Sequence, residues 1–151
     1  MKYSIFLEPP ENFHPTVEAA GCYCEYEDTI LLLKRHPNSA QGGTWGVPAG
    51  KLEKNESPRA AVIREVREEV GFEIDDAGLI EIRKIYVKLP HLDYIFHTFR
   101  KHFQKKPQIT LQLEECVETK WVTIAEAFTL PLITGGKEAL DYYVQAKKVS
   151  Y

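Results

Sequence analysis

Residues 50–72 read GKLEKNESPRAAVIREVREEVGF, and the rest of the chain is best read outward from them. Ser57 is a natural helix N-cap, and Pro58 suits the first helical position, where its missing N–H costs nothing. Gly71 is the expected left-handed stop. The pattern therefore predicts a helix over 58–70. At 100° per residue Val62, Ile63, Val66 and Val70 cluster on one face, which should pack on a sheet.

Glu65, Glu68 and Glu69 stand at offsets 0, 3 and 4, so their carboxylates share a helical face beside the apolar one. Glu69 lies nearest the core edge and should be the most desolvated. Like charges at i,i+4 cost about 0.2–0.5 kcal/mol per pair, and the three lie in the C-terminal half of the helix, where the macrodipole disfavours anions. A hard divalent cation would relieve that conflict, and oxygen-only ligands suit Mg²⁺ or Mn²⁺. Taken alone, the three glutamates fit a solvated acidic helix face equally well.

The flanking sequence supplies strands. Residues 17–26 (VEAAGCYCEY) and 29–35 (TILLLKR) read as a hairpin turned at Glu27-Asp28, the second strand apolar enough to be buried. Residues 36–44 are loop by composition, and 45–50 form a short extended piece ending in Gly. Residues 78–88 and 93–103 alternate with period two, and 108–113 and 119–122 are shorter strand candidates. Thr123-Ile124-Ala125-Glu126 has the capping-box pattern and should start a short helix. Residues 136–148 read as a final helix, with Ala139, Leu140, Tyr143 and Val144 on one side. Strands on both sides of a central helix, with a terminal helix, make an α/β fold with a mixed sheet covered by helices.

Composition sets the outer bounds. The 151 residues, 44% hydrophobic and 27% charged, suit one globular domain over 1–151 and exclude a disordered or disulfide-scaffold chain. The net charge of −3 is too mild for a dedicated nucleic-acid binder. Cys22 and Cys24 share one strand face. Three cysteines without disulfide or zinc spacing read as free thiols in a reducing compartment. The N-terminal apolar run, Ile5-Phe6-Leu7, is too short for a signal peptide, and no stretch approaches about 18 apolar residues. The expectation is a soluble, cytoplasmic protein with no membrane partner.

The 50–72 segment resembles the Nudix box of the MutT/Nudix hydrolases: Gly, five residues, Glu, seven residues, then Arg-Glu-apolar-x-Glu-Glu-x-Gly-apolar. Every specified position matches, from Gly50 and Glu56 through Arg64-Glu65-Val66 and Glu68-Glu69 to Gly71-Phe72. A chance match is on the order of 10⁻⁷ at roughly 5–7% per specified residue. The looser resemblance includes Trp45-Gly46-x-Pro48-x-Gly50 and Trp121-Val122. Pro48-Ala49-Gly50 stands where Pro-Gly-Gly is commoner in the family.

This resemblance implies an α/β/α sandwich that cleaves the diphosphate bond of a nucleoside diphosphate linked to another group. Glu65, Glu68 and Glu69, helped by the Gly50 carbonyl, would hold Mg²⁺, or Mn²⁺ in its place. Glu65 would be the general base, with Glu68 or a loop glutamate as the other candidates. Glu56 and Arg64 would form an ion pair holding the loop to the helix. Glu115, with Glu114 as the fallback, would add a ligand, against an exposed hairpin-end reading. Arg35 and Lys51 would meet phosphate, although Lys51 also fits as a screen for the carboxylates. The implied partner is a small nucleotide, without nucleic acid, and a homodimer is left open. The alternative is a Nudix-fold module that senses a nucleotide without turning it over, a class that usually lacks box carboxylates. Arg100, Lys101, Lys105 and Lys106 read as a solvated basic hairpin end, with a phosphate or RNA contact as the competing reading. Trp45, Tyr94, His97 and Phe99 are candidates for a base-stacking wall, with the core as the competing reading.

Overall fold

The sheet is built around one parallel pairing. In the computed structural model, which describes residues 3–149, β2 (Val17–Tyr26) runs beside β7 (Asp93–Phe103) in register from Val17–Tyr94 to Tyr26–Phe103. Strands paired in this direction need a long crossover, and here the crossover carries α1 (Pro58–Val70). β6 (Ile80–Lys88) and β1 (Ser4–Phe6) extend the sheet antiparallel beyond β7. On the other side of β2 lies β3 (Thr29–Arg35), with β8 (Cys116–Thr123) along its outer edge.

β2 and β3 hydrogen-bond only at their hairpin end, through Glu25–Ile30 and Tyr26–Thr29. Beyond it they part. β5 (Ala49–Lys51) takes up the edge of β2 at Ala19–Gly21, and β4 (Trp45–Gly46) takes up the edge of β3 at Leu33–Lys34. This split in the sheet positions the site.

Period-two alternation sorts side chains to the two faces. Ala20, Cys22 and Cys24 of β2, Leu31 and Leu33 of β3, and Phe99 of β7 pack against Ala61, Val62, Val66 and Val70 of α1. Tyr23, Ile30, Leu32, Trp45 and Val122 face the opposite way. They meet Ala127 of α2 (Ile124–Ala127) and Leu140 and Tyr143 of α3 (Gly136–Val149). The result is the expected mixed sheet flanked by helices. All three cysteines are buried free thiols. Among the described residues no helix is long and apolar enough to cross a membrane.

Helix α1 begins and ends where its sequence signals put it. The Ser57 side chain accepts from the Ala60 N–H at 3.1 Å, and Gly71 stops the helix at φ 79°. Ala61 is buried on its inner face, whereas Ile63 is only half-buried.

Residues 108–113 are not a strand. They lie along the end of α1, where Thr110 N–H donates to Val70 O at 2.8 Å and Gln112 N–H to Glu69 O at 3.2 Å. The last carbonyls of a helix lack intrahelical partners, and this segment supplies them while Ile109 and Leu111 pack on the α1 core. Its apolar alternation reflects that packing. The edge strand accordingly starts at Cys116, earlier than the expected 119. The three residues of β1 are too short to show a period, and their order comes from pairing with β6.

The basic cluster also resolves differently. Arg100 points to the α3 side, where its Nε and Nη2 donate to the Glu25 carboxylate, both at 3.0 Å. Glu25, only 2% exposed, also accepts from the Tyr143 hydroxyl. Burial alone would raise the Glu25 pKa, but the Arg100 and Tyr143 hydrogen bonds outweigh it and hold it below the usual carboxylate value. A depressed folded pKa stabilises the fold above the unfolded value of about 4.3, and the gain is lost as pH falls through the folded value.

Glu25→Ala should destabilise the protein by about 3–5 kcal/mol at pH 7, because it strands buried partners of the carboxylate. The gap to wild type should narrow below about pH 4. Urea unfolding at pH 7 and pH 3.5 checks both statements.

Candidate active site

Gly50 sits in β5, across the sheet from Ala20 of β2, and its α-carbon faces the middle of α1. A Cβ at Gly50 would overlap the Glu65 carboxylate. The glycine therefore serves a close approach between loop backbone and helix side chain. One residue earlier, Ala49 N–H donates to Glu69 Oε1 at 2.7 Å. The other Glu69 oxygen lies 3.9 Å from the Cys116 thiol. β5 thus lies against two of the three box carboxylates on the inner side of the helix.

Arg64 organises the outer side. Its Nε and Nη2 meet the two Glu56 oxygens at 2.8 and 2.9 Å, a bidentate pair that ties the loop to α1. Nη2 also donates to the Lys51 carbonyl at 3.0 Å. Nη1 lies between Glu65, at 2.8 Å, and Glu68, at 3.2 Å. The repulsion expected between those two glutamates is therefore offset by a guanidinium. Glu68 is 54% exposed, the most solvated of the three.

Glu69 is 7% exposed. Burial pushes its pKa up to about 8. The Ala49 N–H opposes the rise, the charges of Glu65 and Glu115 add to it, and Arg35 lowers it. Glu65 is shifted upward as well, by burial first, with Arg64 opposing and Glu68 and Glu115 reinforcing. Glu56 goes the other way, held at about 2 by the Arg64 hydrogen bonds. The Cys116 thiol is pushed up to about 12, by burial first and then by the Glu69 charge.

Glu115 stands in the turn before β8, its carbonyl accepting from His36 N–H at 2.7 Å. Its charge bears on both Glu65 and Glu69. Arg35 ends β3 and donates from Nε to the Ala40 carbonyl at 2.6 Å. Arg35 and the exposed Lys51 line the same cavity as Gly50 and Glu69.

Among the described residues no three carboxylate, imidazole or thiol groups already stand in a metal-holding geometry. Arg64 engages Glu65 and Glu68 where a cation would. The donor chemistry nonetheless fits a hard divalent ion. Glu65, Glu69 and Glu115 are oxygen donors, burial and neighbouring charge make Glu65 and Glu69 hold on to protons, and the Gly50 backbone lies open to Glu65 for want of a side chain.

The cavity, about 330 Å³, is lined on one side by Gly136, Ala139 and Leu140 of α3. Its wall is apolar toward β1 and β6, with Ile5, Ile85 and Val87, and charged toward β3, β5 and α1, with Arg35, Lys51 and Glu69. The split between β2 and β3 lets Glu69 reach it from the other side of the sheet. The expected aromatic wall is only partly there. Tyr94 lines the cavity together with Phe96, which the sequence did not single out. Trp45 lines it too, but Lys34 and Lys120 lie over its ring, 5.9 and 5.2 Å from the centroid. His97 and Phe99 point to the α1 face. His97 Nε2 lies 2.7 Å from Glu18, and Phe99 packs in the core.

The contacts made by Ala49, Cys116 and Phe96 were missed as well. One signal was available: Ala19-Ala20-Gly21 is a run of small residues inside a strand, which marks close approach. A Cβ at Gly21 would meet the Phe96 ring at 2.8 Å and Ala49 Cβ at 2.9 Å.

A family model described as the NUDIX domain matches residues 15–143. The CTP pyrophosphohydrolase of Escherichia coli strain K12 is 32% identical over 130 residues, covering 85% of this chain and 91% of that protein. The 8-oxo-dGTP diphosphatase of Proteus vulgaris is 38% identical over 63 residues, 42% of this chain. That match spans little more than half of the relative, 56% of its length. A solved Nudix hydrolase from M. smegmatis superposes with a TM-score of 0.74 at 22% identity, covering 92% of this chain and 90% of that one. At that identity it shows a shared fold.

Gly50→Ala should leave the protein folded, because the overlapping group is the end of a flexible side chain. It should displace Glu65, and a misplacement near 1 Å costs about 100-fold in turnover. Melting curves and kcat on one preparation check this.

A second expectation concerns pH in the presence of chelator. A carboxylate whose folded pKa is raised stabilises the fold fully below the unfolded value of about 4.3, and loses that contribution as pH climbs to the folded value of about 8. In chelator, Glu69→Gln should therefore melt close to wild type at pH 4.5 and several degrees higher at pH 8.5. Paired melts across that range test it.

Proposed function

The chain belongs to the Nudix hydrolase family, and on that footing we propose that it cleaves a phosphoanhydride bond of a nucleotide with Glu65 and Glu69 at the centre of the reaction. Residues 1–151 form one such domain in this proposal. The observation that carries it is the pair of desolvated carboxylates, Glu65 and Glu69, pressed against the β5 backbone, with Glu69 in the charged wall of a cavity.

Glu65, Glu68 and Glu69, with the Gly50 carbonyl and Glu115, are the residues that would hold Mg²⁺, or Mn²⁺ in its place. Bound there, the cation would neutralise the diphosphate and lower the pKa of the attacking water. Glu65 takes the proton from that water. Its raised proton affinity suits a general base better than an ordinary solvated carboxylate would, and Glu68 is the alternative. Arg35 and Lys51 meet the phosphates from the same wall. The Glu56–Arg64 pair touches no reacting atom and positions the loop that carries Gly50 and Lys51. The three buried free thiols suit a reducing, cytoplasmic setting.

The substrate is a nucleoside triphosphate or a related nucleoside diphosphate derivative, its base in the apolar part of the cavity. The names of the E. coli and Proteus vulgaris relatives, CTP pyrophosphohydrolase and 8-oxo-dGTP diphosphatase, place triphosphates first in a screen. Phosphate release over a panel of nucleotides and nucleotide sugars, with Mg²⁺ and with chelator, tests the proposal. Binding without turnover would make this a nucleotide sensor.

Glu69→Gln should abolish Mg²⁺-dependent turnover while the protein stays folded. Gln keeps the size and an acceptor for Ala49 N–H but loses the anion a hard cation prefers. Near-native turnover of the purified variant would sink the assignment of Glu69.

A further inference from the structure

We propose that the Tyr23 hydroxyl reads the polar edge of the substrate's nucleobase and sets which base the cavity accepts. This inference rests on the nucleotide-hydrolase reading above and deepens it. Tyr23 projects from the middle of β2 to the α3 face and is 3% exposed. Its ring stacks on that of Tyr143, with centroids 4.2 Å apart and planes 10° from parallel. The two phenols differ at their tips. The Tyr143 hydroxyl is bound to the buried Glu25 carboxylate. The Tyr23 hydroxyl has no hydrogen-bond partner among the described residues. It is also absent from the fully enclosed unpartnered atoms, of which His97 Nδ1 is the one case among the described residues. The hydroxyl therefore keeps a little exposed surface, and the residue lines that cavity.

A buried hydroxyl without a partner weakens a fold, and phenylalanine would fill the same stacked position without that loss. The hydroxyl is explained if a ligand completes it. Burial holds the phenol protonated, its pKa raised well above the usual value, so it offers both a donor and an acceptor at any working pH. The surrounding wall determines what kind of group can lie there. Leu32, Ile85, Phe96 and Leu140 suit a flat heteroaromatic ring, whereas the phosphate-binding charges Arg35 and Lys51 belong to the other part of the wall. A single polar atom in an apolar slot fixes orientation and specificity. Tyr94 also lines the cavity, but it is only half-buried, so its hydroxyl is the less selective of the two.

The test measures binding of the α,β-methylene analogues of ATP, GTP, CTP and UTP to wild type, Tyr23→Phe and Tyr94→Phe, alongside turnover of the parent nucleotides. Wild type should prefer one base. Tyr23→Phe should lose about tenfold in affinity for that base and much less for the others, the worth of one neutral hydrogen bond. It should melt no lower than wild type without nucleotide. The inference is overturned if wild type shows no base preference, or if Tyr23→Phe keeps the wild-type ranking and ratios. It is equally overturned if all four bases weaken together, if Tyr94→Phe alone flattens the preference, or if Tyr23→Phe melts clearly lower. Selective binding with no turnover would remove the hydrolase reading, and the same comparison of affinities would still decide the role of Tyr23.

Discussion

Arg64 belongs to the helix, yet its guanidinium reaches back over the loop that precedes it. Its N–H groups meet both oxygens of Glu56, the Lys51 carbonyl, Glu65 and Glu68. A planar fork can serve that many acceptors at once, and a lysine ammonium cannot. The loop from Lys51 to Ser57 has little core of its own, so this pair fixes where β5 lies relative to α1. Once that distance is set, Gly50 must be a glycine, because Glu65 occupies the space of its side chain. The Ala49 N–H then comes within reach of Glu69.

The same geometry places carboxylates where the fold gains nothing from them. Glu69 is buried on the face that otherwise carries Val62, Val66 and Val70, with Glu65 and Glu115 close enough to add their charge. A valine or leucine at 69 would pack better. Such local conflict is the mark of a functional site in a sequence that is consistent elsewhere. Glu25 is a useful contrast, because it is as deeply buried but has Arg100 and Tyr143 for partners, and its proton affinity falls. One buried glutamate is satisfied by the fold, whereas the other needs something the fold does not supply.

The parting of β2 and β3 links these carboxylates to the cavity. A continuous sheet would keep α1 and its glutamates from the face on which α3 packs. With β4 and β5 in the breach, backbone edges are satisfied by short strands and a passage remains for Glu69 and Cys116 to line the far side. Gly21, having no side chain, lets Phe96 and Ala49 close on one another there.

Much of this was legible in the residues themselves. The limits of α1 follow from Ser57, Pro58 and Gly71, because caps and stops are local chemistry. The faces of β2 and β3 follow from period two, and the carboxylate face from offsets of three and four. The motif brought Glu56 and Arg64 together before any coordinate did. What local chemistry could not show was who stands opposite whom. Residues 108–113 alternate like a strand, yet they close the end of a helix 40 residues upstream, since only the assembled fold shows that those carbonyls lack partners. Arg100 looked like surface charge until β7 was laid parallel to β2, beside Glu25. His97 and Phe99 left the aromatic wall, and Phe96 joined it, through a one-residue choice of face that pairing register decides. The split in the sheet, and with it the cavity and the place of Tyr23 in its wall, is a property of strands distant in sequence, and no window of sequence contains it.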